Sequence, residues 1–258
     1  MKLFDSIYLW YLLRKCVHFP NHIAVIQDGN RRYAEKMGLP RAIGHRIGAD
    51  RTGEVLEWAH EVGIQYLTLY TFSTENFNRT QDELDELFDL FKERLALIIE
   101  DERVHKYRIR IQMIGDKEML PWDIQEIIHS AESATAHYSN YYVNIALAYG
   151  GRSEIMQASR RILSDVQKQE LHAEQITPDL IEDYLHSRNN AIPPVDLIIR
   201  TGDDSRTSNF LPWFANGYEA VVYFCAPYWP LFKKTDFIKA ILEYSHQHDT
   251  REKKKASL

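Results

Sequence analysis

Residues 22–33, HIAVIQDGNRRY, join a short apolar run to a cluster of polar side chains and indicate the fold of the whole chain. Residues 23–26 are continuously apolar, which is typical of a parallel strand covered on both faces. Similar runs recur and alternate with segments of helical periodicity. The predicted strands are 22–28, 65–72, 108–114, 142–148, 195–201 and 219–225, and the predicted helices lie near 45–61, 82–104, 121–138, 152–168 and 235–246. This alternation predicts an α/β fold with an open, mainly parallel six-stranded sheet flanked by helices.

The composition of the 258-residue chain restricts its class. Hydrophobic residues make up 45% and charged residues 26%, as is usual for one globular domain, here expected to span residues 1–258. The net charge of -6 argues against nucleic acid as a general partner. Two cysteines, Cys16 and Cys225, are too few for a disulfide framework and fit a reducing compartment. We therefore expect a cytoplasmic protein, with a peripheral position at a membrane as the alternative.

The two ends of the chain differ from its body. Residues 1–20 predict an N-terminal amphipathic helix rich in aromatic side chains, such as Tyr8, Trp10 and Tyr11. Packing on the protein body and contact with a membrane surface both remain open for this helix. Residues 247–258 are strongly charged and predict a flexible tail.

Polar clusters follow three of the predicted strands, at 28–33, 73–79 and 200–209. In open α/β sheets, ligands bind beyond the carboxyl ends of the strands. Gly29 permits close approach of a ligand to the main chain, and Arg32 can bind phosphate oxygens in bidentate fashion. Asp28 would repel a bare diphosphate, so its presence indicates a bridging cation, most naturally Mg²⁺. The structural alternative is an aspartate that caps a helix beside solvent-facing arginines.

The third cluster repeats this chemistry with Arg200, Arg206 and Ser208, and two arginine-bearing loops at one sheet edge favour two anionic groups. The chain has neither a dinucleotide-binding nor a P-loop fingerprint, and no obvious nucleophile. Such a set suits a reaction in which diphosphate leaves and a carbocation forms. An apolar helix face could then line a slot for an oily substrate or belong to the core; its residues are Leu84, Leu87, Phe88, Phe91, Leu95 and Ile98.

Five motifs resemble those of the cis-prenyltransferases, the undecaprenyl diphosphate synthase family. Their residues are similar to those of the archaeal branch of this family. The motifs are HIAVIQDGNRRYA (22–34), RAIGH (41–45), LTLYTFSTENFNR (67–79), NIALAYGGR (144–152) and VDLIIRTGDDSRTSNFL (195–211). The resemblance covers residues from about 20 to about 245, in the order of the family. It implies a parallel α/β sheet with an apolar tunnel for the growing chain.

The resemblance also implies roles for individual residues. Asp28 and Asn76 would be catalytic, and Asp28 and Glu219 would hold Mg²⁺. An amide is a very weak base, so a water or the released diphosphate is the alternative to Asn76 as proton acceptor. The substrate-binding residues would be Gly29, Asn30, Arg31, Arg32, Tyr33, Arg41 and His45 for the allylic diphosphate, Ser73, Thr74, Glu75, Phe77 and Arg79 in a closing loop, and Arg200, Arg206, Thr207 and Ser208 for isopentenyl diphosphate.

The implied activity is a Mg²⁺-dependent condensation of isopentenyl diphosphate with an allylic prenyl diphosphate. Its product would be a (poly)cis-polyprenyl diphosphate, a precursor of a glycosyl-carrier lipid, made by a homodimer or a heteromer. The chain departs from the family in lacking a C-terminal Arg-x-Gly motif. Prenyl transfer to a non-standard acceptor and a non-catalytic subunit of a heteromeric enzyme therefore remain as alternatives.

Overall fold

A parallel sheet forms the centre of the protein. The computed structural model describes residues 2–185, 192–215 and 220–255, with the backbone alone for 2–5 and 251–255. Six strands lie in the order β3-β4-β2-β1-β5-β6, and every neighbouring pair is parallel. Their bounds are β1 His22–Ile26, β2 Tyr66–Tyr70, β3 Ile109–Ile114, β4 Tyr141–Ala146, β5 Leu197–Arg200 and β6 Val221–Phe224. The predicted open six-stranded sheet is confirmed.

Helices cover both faces of the sheet. They are α1 Lys2–Lys15, α2 Asn30–Met37, α3 Arg41–Glu61, α4 Gln81–Glu100, α5 Glu102–Tyr107, α6 Trp122–Thr135, α7 Gly151–Gln167, α8 Pro178–Tyr184 and α9 Lys234–Lys255. The single helix predicted at 82–104 is divided at Asp101. This residue has extended backbone angles, and its carboxylate accepts a hydrogen bond from the main-chain N–H of Arg103. Asp101 thereby caps α5 and ends α4.

The core has three parts. On one face, β-strand residues pack against α1, α3 and α9 around Trp58, Trp229 and Phe237. On the other face, Tyr149 and Phe210 lie in a cluster that α7 covers. A third cluster joins α4 to α6 beside the end of β2. Because both faces are covered, the residues of β1 are all buried, as its apolar sequence indicated.

The two ends of the chain pack on each other. Helix α1 contacts α9. Leu12 of α1 and Cys16, which follows the helix, are buried in the core, while Ile7, Trp10 and Tyr11 stay about half exposed. Helix α9 continues to Lys255, so the segment expected as a flexible tail from residue 247 is helical that far, and 256–258 lie outside the described residues. In the described part of the chain, no helix has the length and apolar character needed to cross a bilayer.

His22 at the start of β1 is a buried titratable group, with 1% of its surface exposed. Its Nδ1 donates to the carbonyl of Pro193 (2.8 Å), and its Nε2 accepts from the Thr68 hydroxyl (2.7 Å). Burial lowers the pKa of this imidazole to about 4, although the nearby Asp196 carboxylate acts in the opposite direction. The folded protein therefore holds His22 neutral at pH values where an unfolded histidine is protonated.

We expect His22 to make the fold sensitive to acid. In the unfolded chain, His22 binds a proton below about pH 6.5, whereas in the folded protein it stays neutral down to about pH 4. The free energy of unfolding therefore falls as the pH falls from about 6.5 to about 4. Between about pH 7 and pH 5 the free energy of unfolding should drop by about 2 kcal/mol from this residue. In urea denaturation, the free energy of unfolding of His22→Gln should therefore fall by about 2 kcal/mol less than that of wild type over this pH range. The exposed His129 of α6, changed to Gln, is the matched control. Identical pH dependence in wild type and His22→Gln would contradict the assignment.

Candidate active site

A polar cavity of about 710 Å³ lies at the carboxyl ends of β1, β2 and β5. It brings together most of the residues predicted from the sequence: Asp28, Gly29, Asn30, Arg31, Arg32, His45, Ser73, Glu75, Asn76, Arg79, Arg200, Arg206 and Ser208. Five predicted residues do not line it, namely Tyr33, Arg41, Thr74, Phe77 and Thr207. Glu219, the predicted second metal ligand, lies outside the described residues.

Asp28 is held at the end of β1 by its main chain. Its N–H donates to the Thr201 hydroxyl (3.0 Å), and its carbonyl accepts from that hydroxyl (2.8 Å) and from the N–H of Trp229 (2.9 Å). Its carboxylate lies 2.7 Å from Arg200 Nη2 and 3.1 Å from Arg32 Nη2. The two arginine-bearing loops predicted from the sequence thus meet at one carboxylate.

Arg200 is buried, with 3% of its side chain exposed, and it organises the loop after β5. Its guanidinium pairs with Asp204 (3.0 Å) and donates to the Ser208 hydroxyl (2.6 Å) and to the carbonyl of Arg206. Arg206 is 70% exposed and pairs with the same Asp204 carboxylate (2.7 Å). Asp204 therefore occupies, next to both arginines, the position that an anionic substrate group would need.

Gly29 is required where β1 turns into α2. Its φ is 106°, and a Cβ atom at this position would lie 2.7 Å from the ring of Tyr228. Gly202 in the loop after β5 has φ of 93°, and its Cβ would lie 2.7 Å from Arg32 Nη2. Both glycines permit a left-handed backbone and the close approach of the two loops.

A second carboxylate, Glu83 in the first turn of α4, is only 7% exposed and lies close to four basic side chains. Its nearest partner is Arg79 (2.8 Å), and the other groups lie 3.6–3.7 Å away. We call this set the Glu83 cluster: Glu83, Arg31, Arg41, His45 and Arg79. Arg41, which does not line the cavity, joins the site through this cluster.

His45 is the titratable group of the Glu83 cluster. Burial, followed by the charge of Arg79, lowers the pKa of its imidazole to about 4 against the opposite effect of Glu83. At neutral pH the ring is therefore uncharged. It can exchange one hydrogen bond with a ligand in the cavity without adding charge.

The loop after β2 contains a short 3₁₀ helix, Thr74–Asn78, capped by Ser73. The side-chain oxygen of Asn76 accepts from the N–H of Ser73 (3.1 Å), so it stabilises the loop. Phe77 packs edge-on against Phe72 (4.9 Å between ring centroids) in the core cluster of α4 and α6, which explains why it does not line the cavity. Glu75 accepts from the side-chain amide of Asn209 (2.8 Å).

Sequence reasoning missed several residues of the site. Arg152 and Asn209 line the cavity, and the N–H of Arg152 donates to the Asn209 side chain (2.8 Å). Arg152 follows β4 at the same edge of the sheet, so the rule that ligands bind at strand ends would have found it. Glu83 carried no such signal, because an acidic residue in the first turn of a helix is an ordinary feature.

An apolar cavity of about 290 Å³ adjoins the polar one between α3, α4 and the sheet. The two cavities share Gln27, Asn30, His45, Thr71 and Leu87. Of the apolar helix face predicted from the sequence, Leu87, Phe91, Leu95 and Ile98 line the apolar cavity, whereas Leu84 and Phe88 do not. The arrangement can hold an anionic head at the sheet edge and an apolar tail between the helices.

Comparison with known proteins identifies the family. The family model described as putative undecaprenyl diphosphate synthase matches residues 26–252. The chain belongs to this prenyltransferase family. A protein of Haloarcula marismortui named tritrans,polycis-undecaprenyl-diphosphate synthase (geranylgeranyl-diphosphate specific) is 47% identical over 231 residues, which cover 90% of this chain and 75% of that protein. The expected likeness to the archaeal branch is confirmed.

Two solved structures of the family have the same fold. One is lavandulyl diphosphate synthase from Lavandula x intermedia in complex with dimethylallyl diphosphate, with a TM-score of 0.82, 31% identity, and coverage of 88% of this chain and 95% of that one. The other is a probable undecaprenyl diphosphate synthase from Campylobacter jejuni, with a TM-score of 0.71, 30% identity, and coverage of 88% and 96%. The chain is accordingly an enzyme, a transferase of prenyl groups in the polyprenyl diphosphate synthase class.

The donor set of the prenyltransferase site fits Mg²⁺. This ion usually binds through one or two carboxylates together with substrate phosphates. Asp28 supplies one such carboxylate at the edge of the polar cavity. Within residues 2–185, 192–215 and 220–255, no cluster of three or more His, Cys, Asp or Glu side chains forms a complete metal site.

Proposed function

We propose that this enzyme condenses isopentenyl diphosphate with an allylic prenyl diphosphate in a Mg²⁺-dependent reaction that adds cis isoprene units. The observation that carries the proposal is the meeting of two arginine sets at Asp28, beside the mouth of an apolar cavity. Geranylgeranyl diphosphate is the proposed donor, because the archaeal relative is named as specific for it.

The allylic donor occupies the side of Asp28 that faces α2. Arg31, Arg32 and the N-terminus of α2 attract its diphosphate, and neutral His45 offers a hydrogen bond. Its prenyl tail enters the apolar cavity past Leu87, which lines both cavities. Burial of the tail then fixes the position of the reacting carbon.

Isopentenyl diphosphate occupies the side that faces the loop after β5. Arg200, Arg206 and Ser208 bind its diphosphate, which replaces Asp204 as the partner of the two arginines. Arg200 touches both Asp28 and this loop, so it lies between the two diphosphates. Thr207 shapes the loop rather than lining the cavity, since its carbonyl accepts from the N–H of Phe210.

In the reaction, the bond between the allylic carbon and its diphosphate oxygen breaks, and the oxygen keeps the electron pair. The double bond of isopentenyl diphosphate attacks the resulting carbocation, a carbon–carbon bond forms, and a proton leaves. When bound, Mg²⁺ neutralises the charge that develops on the departing diphosphate. Asp28 and Glu219 are the residues proposed to hold it. Asn76 positions the closing loop, and the released diphosphate accepts the proton.

The test is turnover of the purified chain alone with labelled isopentenyl diphosphate and geranylgeranyl diphosphate. We expect butanol-extractable polyprenyl diphosphate, loss of product in EDTA, and recovery on addition of Mg²⁺. Full turnover in EDTA would contradict the metal requirement. Activity only after a partner chain is added would favour the non-catalytic subunit. Product formed from geranylgeranyl diphosphate without isopentenyl diphosphate, either alone or with an added alcohol, would favour a non-standard acceptor.

Three further properties belong to this proposal: a product that serves as a glycosyl-carrier precursor, a homodimeric assembly, and a cytoplasmic enzyme in peripheral contact with a membrane. The exposed Ile7, Trp10 and Tyr11 of α1, followed by Arg14 and Lys15, support the membrane contact. Flotation with vesicles tests this contact, and sedimentation tests the dimer. A monomer that stays with the soluble fraction would contradict both.

A further inference from the structure

Arg152 differs from the other arginines of the polar cavity in its charge partners. Each of the other five has a carboxylate oxygen 2.7–3.6 Å from its guanidinium group; they are Arg31, Arg32, Arg79, Arg200 and Arg206. The side chain of Arg152 is exposed, and its guanidinium group has no ion pair or hydrogen bond with any part of the chain that the structure describes. Arg152 therefore presents an uncompensated positive charge and its full set of N–H donors to the cavity.

Asn209 holds the main chain of Arg152 in place. Its side-chain oxygen accepts from the N–H of Arg152 (2.8 Å), and its carbonyl accepts from the N–H of Gly151 (2.8 Å). Its side-chain amide donates to Glu75 (2.8 Å) in the loop after β2. The backbone of Asn209 is left-handed, with φ of 61°, a conformation that asparagine tolerates better than most residues. Asn209 thereby joins the start of α7 to the loops after β2 and β5.

The glycines before Arg152 permit this close packing. A Cβ atom at Gly150 would lie 2.5 Å from the hydroxyl oxygen of Thr74, and one at Gly151 would lie 2.0 Å from Cδ of Pro212. The first turn of α7 is therefore fixed by its neighbours. Only the side chain of Arg152 extends beyond this packed turn into the cavity, where its length allows it to follow a ligand.

The contacts of Asn209 place Arg152 on one side of the cavity. Asn209 directly follows Ser208, whose hydroxyl accepts from the buried Arg200 (2.6 Å). Because Asn209 bonds to the N–H of Arg152, Arg152 lies beside the loop after β5. This is the side proposed above for isopentenyl diphosphate, and not the side of α2 proposed for the allylic donor.

A diphosphate on that side needs more positive charge than the loop after β5 provides. One carboxylate, that of Asp204, now serves both Arg200 (3.0 Å) and Arg206 (2.7 Å). A diphosphate that replaces Asp204 brings two phosphate groups and therefore more negative charge. Arginine binds phosphate oxygens in bidentate fashion, and Arg152 has its guanidinium available beside the same loop.

We infer that Arg152 is a further diphosphate-binding residue of this enzyme, that its ligand is isopentenyl diphosphate, and that Asn209 is the positioning residue that holds it. This inference rests on the proposed condensation. Loss of the Arg152 guanidinium should weaken binding of isopentenyl diphosphate and leave binding of the allylic donor unchanged.

The experiment measures KM for isopentenyl diphosphate and for geranylgeranyl diphosphate, each with the other substrate saturating. In Arg152→Gln we expect KM for isopentenyl diphosphate to rise by about 10–100-fold, the usual effect of losing hydrogen bonds to a charged group, with KM for geranylgeranyl diphosphate unchanged. Arg152→Lys keeps the charge but loses the planar fork, so its rise should be smaller. Arg160→Gln, at an exposed arginine of the same helix, is the matched control and should match wild type.

The role of Asn209 is tested by a double-mutant cycle. Asn209→Ala should raise KM for isopentenyl diphosphate by itself. Adding Arg152→Gln should then raise it by less than in wild type, because the two residues act through one contact. Independent, multiplicative effects would exclude Asn209 as the residue that positions Arg152.

The outcomes separate this inference from the proposed function. Absence of product in wild type would overturn the proposed function itself. Normal turnover of wild type together with an unchanged KM for isopentenyl diphosphate in Arg152→Gln would overturn the role of Arg152 alone. A rise confined to KM for geranylgeranyl diphosphate would also overturn it, because Arg152 would then act on the donor side.

Discussion

Replacing Asp28 by asparagine is expected to reduce polyprenyl diphosphate formation by about a thousandfold, the upper end of what one electrostatic contact contributes at a reacting centre. The substitution keeps the size of the side chain and removes its charge. Both oxygens of the carboxylate contact arginines, Arg200 at 2.7 Å and Arg32 at 3.1 Å, so the negative charge also sets the position of these guanidinium groups. In the proposed reaction the same charge holds Mg²⁺.

The measurement is incorporation of labelled isopentenyl diphosphate under saturating Mg²⁺, together with circular dichroism of the variant. Arg200 keeps Asp204 and Ser208 as partners, so we expect the fold to persist. Asp203→Asn is the matched control, because this carboxylate is exposed in the loop beside the site. Turnover of Asp28→Asn within about tenfold of wild type would show that the charge is dispensable and would exclude the assigned role.

Replacing Glu83 by glutamine is expected to reduce kcat/KM by about a hundredfold, because a misplacement of about 1 Å at a reacting centre costs that much. Without the carboxylate, Arg31, Arg41 and Arg79 repel one another, and Arg31 leaves its position beside the proposed donor diphosphate. We expect stability to fall by about 2 kcal/mol, less than for a fully buried pair, since Arg31 and Arg41 remain partly exposed.

Steady-state kinetics and urea denaturation measure these two effects separately. Glu86→Gln, one turn further along α4 and exposed, is the matched control. If Glu83→Gln lost stability but kept wild-type kcat/KM, the Glu83 cluster would be a structural feature and not part of the substrate site.

Local patterns predicted the strands well and the helix boundaries less well. Residues 23–26 are apolar without interruption, and the structure buries each of them in β1. The division between α4 and α5 depends on Asp101, whose extended backbone and side-chain cap compete with helical periodicity that continues through this position. The charged segment after residue 247 predicted a flexible tail, but α9 extends to Lys255. Within this segment, Asp249 lies 2.9 Å from His18, a contact that local sequence does not indicate.

The residues of the site were also predictable only in part. The rule that ligands bind at strand ends placed Asp28 and Arg200 together, and their direct contact bears out that placement. The Glu83 cluster was not predictable, because its partners come from α2, α3 and the loop after β2. Such a set is defined only by tertiary packing. Phe77, within a motif of the family, turned out to pack in the core for the same reason.

The neighbouring positions of β1 and β5 in the sheet have a consequence for how such enzymes diversify. Asp28 follows β1 and Arg200 ends β5, and adjacent strands lie about 4.8 Å apart. In the proposed reaction, the main-chain hydrogen bonds between β1 and β5, rather than any loop, thus set the distance between the two diphosphates. Exchanging the loops after these strands would change which substrates bind. The distance between the two binding positions would stay the same, because the sheet sets it.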